Sequence, residues 1–318
     1  MLPARTKPPL LPGFQELEVD RARAFVEAST APATLRAYKS DWSRFCSWCA
    51  ERDLPALPAH PGAVGLFLSG EAGAGMKAST INRRAAAIRH FHVAGRLPSP
   101  TADPEVRRVM IGIRRQLGVR PAQKAPATAA RLVEMLKHCP DSLRGKRDRA
   151  ILALGFSGAF RRSELVALEV ADLDEVPDGL RVTIRRSKTD QEGAGYEIAV
   201  LRGSQLRAVE AVRDWLSAAG ITAGPVFRRI WKNGQVADRA LTAEVVADLV
   251  KQYASLAGFN AALFAGHSLR AGFLTSAAEA GADVFRMMDV SRHKKVETVR
   301  TYVRRADAFE DHAGRGFL

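Results

Sequence analysis

The sequence is poor in what metal and redox chemistry need. Three cysteines in 318 residues, Cys46, Cys49 and Cys139, are too few for a disulfide framework. Cys46-Ser-Trp-Cys49 has redox or zinc spacing, but no second Cys/His pair completes four ligands. Its neighbours Trp42, Phe45 and Trp48 assign it to core packing instead. No paired carboxylates and no His/Asp/Glu cluster have metal-ligand spacing, so neither metal nor cofactor is expected. A Gly-x4-Gly-Lys-Ser/Thr phosphate loop is also missing, since Gly145-Lys146-Arg147 lacks the first Gly and the hydroxyl. The start, Met1-Leu-Pro-Ala-Arg-Thr-Lys-Pro-Pro, has no apolar stretch of a signal peptide. The longest apolar run, Ala150 to Phe160, is far short of the ~20 residues that span a bilayer. A cytoplasmic protein with no membrane partner is the expectation.

Acidic charge is scarce as well. Lys and Arg number 48 against 34 Asp and Glu, giving a net charge of +14, and a polyanion is the first partner to consider. Arginine outnumbers lysine 37 to 11, which favours planar, bidentate phosphate contacts. The first 130 residues hold 19 cations and 10 anions, so the smaller part of the chain is the more basic. Residues 79–120 alone carry nine arginines against Asp103 and Glu105. A merely solvated face mixes signs, and this one points to phosphate binding.

The hydrophobic pattern is mostly helical. Thr34 to Ala50 places Leu35, Tyr38, Trp42, Phe45 and Cys49 on a 3.6-residue rhythm. Ser79-Thr80 opens a second helix with Ile81, Ala85, Ile88 and Phe91 inward and Arg83 and Arg84 outward. Asp103-Pro104-Glu105 starts a third. Val119 to Ala127, with two prolines, reads as an exposed linker, and the domains are expected at 1–124 and 125–318. In the second, helices over Ala130–Lys137, Arg147–Phe156 and Arg162–Leu168 lead to two strands, Arg181–Arg185 and Tyr196–Val200, joined by a hairpin containing Gly193 and Gly195. The remainder reads as helix: Gln205–Ala218, Ala243–Leu256, Leu269–Ala280 and Val296–Val303.

Five short segments could carry chemistry. Arg161 follows the buried run with Glu164 three residues on, where a salt bridge could orient the guanidinium or serve structure alone. Lys188 lies on the hairpin, able to reach a site and give up a proton, or simply solvated. His267-Ser-Leu-Arg270 puts an imidazole and a guanidinium on one helical face, although any basic helix can show this pair. His293 precedes Tyr302 by nine residues. Of the four tyrosines, Tyr302 alone sits among cations, Lys294, Lys295, Arg300, Arg304 and Arg305, which should lower its phenol pKa and attract a phosphate.

The order Arg, Lys, His-x-x-Arg, His, Tyr resembles the tyrosine recombinase (phage integrase) family, closest to its Cre-type members, over nearly the whole chain. The resemblance implies a mainly α fold: a helical, SAM-like core-binding domain and a helical catalytic domain with a small antiparallel sheet. It implies Arg161 and Arg270 as phosphate clamps, Glu164 as supporting acid, Lys188 as hairpin lysine, His267 and His293 as site histidines and Tyr302 as nucleophile. The partner implied is a double-stranded DNA target, and the basic helices around Arg36, Lys39, Arg83, Arg84 and Arg89 are expected to supply much of the affinity through phosphate contacts. Four protomers would assemble on two sites, the tail with Phe309, Phe317 and Leu318 docking into a neighbour. Two departures stand out: Arg162 where an apolar residue is common, and Arg292 where Gly often precedes the second histidine. The competing readings are a type IB topoisomerase, a telomere resolvase and a non-catalytic DNA-binding protein.

Overall fold

The computed structural model describes residues 29–118, 124–185 and 195–306, with a few positions between 18 and 25. The chain divides into two compact units, residues 1–122 and 123–318. The fold is mainly α, with two small antiparallel sheets.

Among the described residues the first unit contains four long helices: α1 (Pro32–Ala50), α2 (Pro61–Gly73), α3 (Ala78–Ala94) and α4 (Pro104–Leu117). Prolines at the first turn start α1, α2 and α4, where the missing N–H has no intrahelical acceptor to lose. Trp42, Phe45, Phe67, Ile81, Ile88 and Val106 form the core, with Trp42 stacked on Phe91 at 4.7 Å. Helix α2 was not expected, because four glycines mask its period. Its buried stripe is Ala63, Val64, Phe67 and Leu68. His92 is wholly buried: Nε2 accepts from the Ala59 N–H at 2.9 Å, and Nδ1 donates to the Ile88 carbonyl at 2.7 Å. Cys49 lies in this same core, and burial, with Cys46 adding to it, pushes its thiol up to about 11. Among the described residues no His/Cys/Asp/Glu group could hold a metal.

The second unit opens with α5 (Ala129–Lys137), α6 (Leu143–Ser157) and the short α7 (Arg162–Val166). Helix α6 is central, with every residue from Ala150 to Phe156 buried. This accounts for the long apolar run, which packs in a protein core. No described helix is long and apolar enough to cross a membrane. Three strands follow, β1 (Leu173–Val176), β2 (Gly179–Ile184) and β3 (Tyr196–Leu201), antiparallel in that order, with Val182 opposite Ile198. The first was missed: four residues with two exposed leave no readable alternation. After α8 (Ala208–Ala219) a second hairpin, β4 (Arg228–Ile230) and β5 (Val236–Ala240), interrupts the helical tract expected there. Its turn contains Asn233-Gly234, with Gly234 at φ +84°, a hairpin signal that was present and overlooked.

Helices α9 (Ala243–Leu256), α10 (Ser268–Glu279), α11 (Val284–Ser291) and α12 (Val296–Ala306) complete the unit. Leu274, Ala278, Met287 and Val299 form a small cluster that joins the last three, with Tyr302 packed on it.

The expected linker is only partly one. Residues 119–123 lie outside those described, but Ala125 donates to the Leu263 carbonyl at 2.7 Å and Ala127 to that of Ser268 at 2.9 Å. Ala127 is buried against Gly272 of α10, where any β-carbon would strike its carbonyl oxygen.

Candidate active site

Arg161 ends the chain's passage out of α6 and caps α7. Its backbone N–H donates to Glu164 Oε2 at 2.9 Å and its Nη1 to Oε1 at 2.6 Å. The i, i+3 spacing thus closes a ring in which one carboxylate fixes both the backbone and the guanidinium. Glu164 is 3% exposed. Burial alone would push its carboxyl up, but the charge of Arg292 and the hydrogen bonds from Arg161 outweigh that and hold it below its ordinary value. The neighbouring Arg162 points elsewhere, its stem against Gly266; a side chain at 266 would come within 2.8 Å of it. The arginine that the spacing to Glu164 singles out is the one that this carboxylate holds.

Arg270 rises from the first turn of α10 and is 5% exposed. Nη1 donates to the Ala159 carbonyl at 2.7 Å, and Nη2 faces the His293 ring at 3.3–3.4 Å. Burial, followed by the charges of Arg161 and Arg292, brings its pKa down to about 9, so it keeps its proton at neutral pH. His267 stands three residues back as the N-cap of α10 and is exposed. The two stand at very different depths, His267 exposed and Arg270 buried.

His293 is half-buried just after α11. Burial first, then Arg270, Arg161 and Arg292, push its imidazole down to about 4, so it is neutral at pH 7. Its tautomer follows from its neighbours. Ser291 Oγ spends its only proton on the Met287 carbonyl at 2.6 Å, so it can only accept from His293 Nδ1 at 2.8 Å. With Nδ1 protonated, Nε2 carries a lone pair and accepts from Arg270.

Tyr302 lies on α12, half-buried against α10 and α11. The sign of its expected pKa shift was wrong. Burial raises the phenol above its ordinary value, and Arg270 is the charge that draws it back. Lys294, Lys295 and Arg300 are exposed, where water screens them. Lys188 lies outside the described residues, as does the tail with Phe309, Phe317 and Leu318.

Residues 127–308 match the phage integrase family, and residues 23–95 match the N-terminal SAM-like domain of phage integrases. The chain belongs to the phage integrase family. The integrase/recombinase XerD homolog of Selenomonas ruminantium is 39% identical over 303 residues, covering 92% of this chain and 87% of that protein. A tyrosine recombinase of Synechococcus elongatus is 28% identical over 317 residues, covering 93% and 91%. The fold is shared with XerH bound to its difH substrate (TM-score 0.59, 15% identity, 78% of this chain and 70% of that one). It is shared too with a lambda integrase dimer bound to a core site (TM-score 0.56, 17% identity, 90% and 75%). The phage integrase membership makes the chain a site-specific DNA recombinase of the tyrosine class.

The basic residues of the recombinase's first unit fall into two groups. Arg36, Lys39 and Arg89 are exposed on α1 and α3. Arg83 is half-exposed but held bidentately by Asp41 at 2.6 and 3.1 Å. Arg84, expected outward, turns inward between Glu71 and Asp41, the latter at 3.6 Å. Asp41 and Glu71 are both buried, and buried carboxylates need partners. Sequence reasoning missed the pull of two acids that lie far along the chain.

Proposed function

We propose that the recombinase cuts one strand of duplex DNA by in-line attack of Tyr302 on a phosphorus. A P–O bond to tyrosine forms as the bond to the 5′ oxygen breaks, leaving a 3′-phosphotyrosyl link. The tyrosyl proton passes to His267, and Lys188 protonates the departing 5′ oxygen. Attack by a 5′ hydroxyl in the reverse sense rejoins DNA and frees the tyrosine, with the same number of phosphodiester-like bonds before and after. Neither ATP nor metal enters the balance. Arg161 and Arg270 hold the non-bridging oxygens. A bound phosphodiester adds negative charge beside His293, which favours the imidazolium and turns Nε2 from acceptor to donor.

One observation carries this reading: the buried Arg270 guanidinium faces the His293 ring at 3.3–3.4 Å, and its charge also draws down the phenol of Tyr302. It ties together three residues on α10, α12 and the turn between α11 and α12. The partner is a double-stranded target site, as in the solved relatives bound to DNA substrates, and four protomers on two sites complete the exchange. Tyr302→Phe should bind DNA normally and leave no SDS-resistant protein–DNA adduct. Adduct at wild-type yield would overturn the nucleophile assignment.

A further inference from the structure

Arg292 was set apart in the sequence because it replaces a common glycine. The structure explains the glycine and gives the arginine a use. Residue 292 terminates α11 at φ +57°, a left-handed conformation in which a β-carbon is costly. An arginine held there at that cost, with its side chain 5% exposed, has partners that compensate. Nη2 donates to Glu164 Oε2 at 2.8 Å and to the Ala159 carbonyl at 3.1 Å. Nη1 donates to the carbonyls of Gly158 at 3.1 Å and Val290 at 2.7 Å. The guanidinium also lies over the Phe160 ring at 5.4 Å.

Two of those acceptors already serve other arginines. Glu164 gives its second oxygen to Arg161, and the Ala159 carbonyl also accepts from Arg270. Ala159 itself has φ +44°, and its carbonyl accepts from both guanidinium groups. Arg292 therefore shares one acceptor with each of the two phosphate-holding arginines: Glu164 with Arg161 and the Ala159 carbonyl with Arg270. It also adds a buried positive charge behind them: three guanidinium groups face one carboxylate, a surplus that a phosphate offsets.

We propose that Arg292 is a positioning residue, which sets Arg161 through Glu164 and Arg270 through the Ala159 carbonyl without itself reaching the DNA. The inference rests on the reading of Arg161 and Arg270 as the phosphate clamp. Three variants separate the two ideas. Arg292→Gly suits the backbone and deletes the guanidinium; Arg292→Lys keeps a charge but loses the planar fork; Arg270→Lys tests the clamp itself. Each is followed by single-turnover cleavage at saturating DNA, by DNA affinity and by thermal melting.

Both Arg292 variants should bind DNA within about threefold of wild type yet cleave on the order of 10²-fold more slowly. Added guanidinium ion should restore part of the loss in Arg292→Gly and none in Arg270→Lys, because only the first leaves a closed, shaped cavity. A purely structural role would lower the melting temperature and slow cleavage only near it, leaving cleavage normal at temperatures where the variant is folded. That outcome overturns the proposal, as does wild-type cleavage by Arg292→Lys. Normal cleavage by Arg270→Lys would instead overturn the clamp.

Discussion

At the scale of single residues, the site is organised by a neutral imidazole and paired guanidinium groups. His293 offers the sharpest test. Its folded pKa of about 4 lies below the ordinary value near 6.5. Between those two values the unfolded chain binds a proton that the folded site refuses. This group therefore contributes no loss above about pH 6.5 and a growing loss of stability as pH falls toward about 4. An NMR titration of the free protein should place the His293 ring near pH 4, and binding of duplex DNA should move it upward. A ring that titrates near 6.5 in the free protein would remove the buried, arginine-flanked environment. The set Arg161, Lys188, His267, Arg270, His293 and Tyr302 was legible in the sequence because its order resembles that of the family. The phenol shift of Tyr302 was not, since composition shows charge but not desolvation. The use of Arg292 was hidden for a related reason, as its partner Glu164 is 128 residues away.

At the scale of elements, helices with a clean 3.6-residue stripe were readable, and short strands and glycine-rich helices were not. Helix α2 folds through Phe67 and Leu68 in spite of its glycines, because tertiary packing overrides weak local propensity. Two glycines make that contrast measurable. Gly272 in α10 has the Ala127 carbonyl pressed on it, whereas Gly112 in α4 has nothing within 4 Å. Gly272→Ala should destabilise by roughly 3 kcal/mol, the upper end for overpacking. Gly112→Ala should stabilise by roughly 0.5–1 kcal/mol through helix propensity. Urea denaturation of the two variants checks both signs, and a neutral Gly272→Ala would mean that the 124–127 segment is not seated on α10.

For the whole molecule, net charge overstates what the first unit offers to DNA. Arg44, Arg83 and Arg84 are engaged by Glu71 and Asp41, while Arg36, Lys39 and Arg89 are exposed. Each phosphate neutralised contributes about −0.9 to the slope of log affinity against log salt for duplex DNA. Replacing Arg36, Lys39 and Arg89 together by Ala should flatten that slope by up to about 2.7. Arg84→Ala should leave the slope nearly unchanged and lower stability, since it leaves the buried Glu71 with only the more exposed Arg44 as a cationic partner. The opposite result, a flatter slope for Arg84→Ala alone, would put the DNA against the buried acids.

The extended segment at the start of the second unit has a practical consequence for where the polypeptide can be cut. Ala125 and Ala127 are bonded to Leu263 and Ser268, so Lys124–Ala127 is part of the catalytic body even though it precedes that body's first helix. A fragment beginning at Lys124 keeps the peptide that covers Gly272 and satisfies the Ser268 carbonyl. One beginning at Ala129 uncovers the start of α10, where His267 and Arg270 stand. The longer fragment should melt cooperatively, and the shorter should melt several degrees lower and lose amide protection first between His267 and Gly272. Equal melting temperatures would show that the five added residues are ornamental. A limited proteolysis screen would then find the stable core starting at α5 instead of at the extended segment that precedes it.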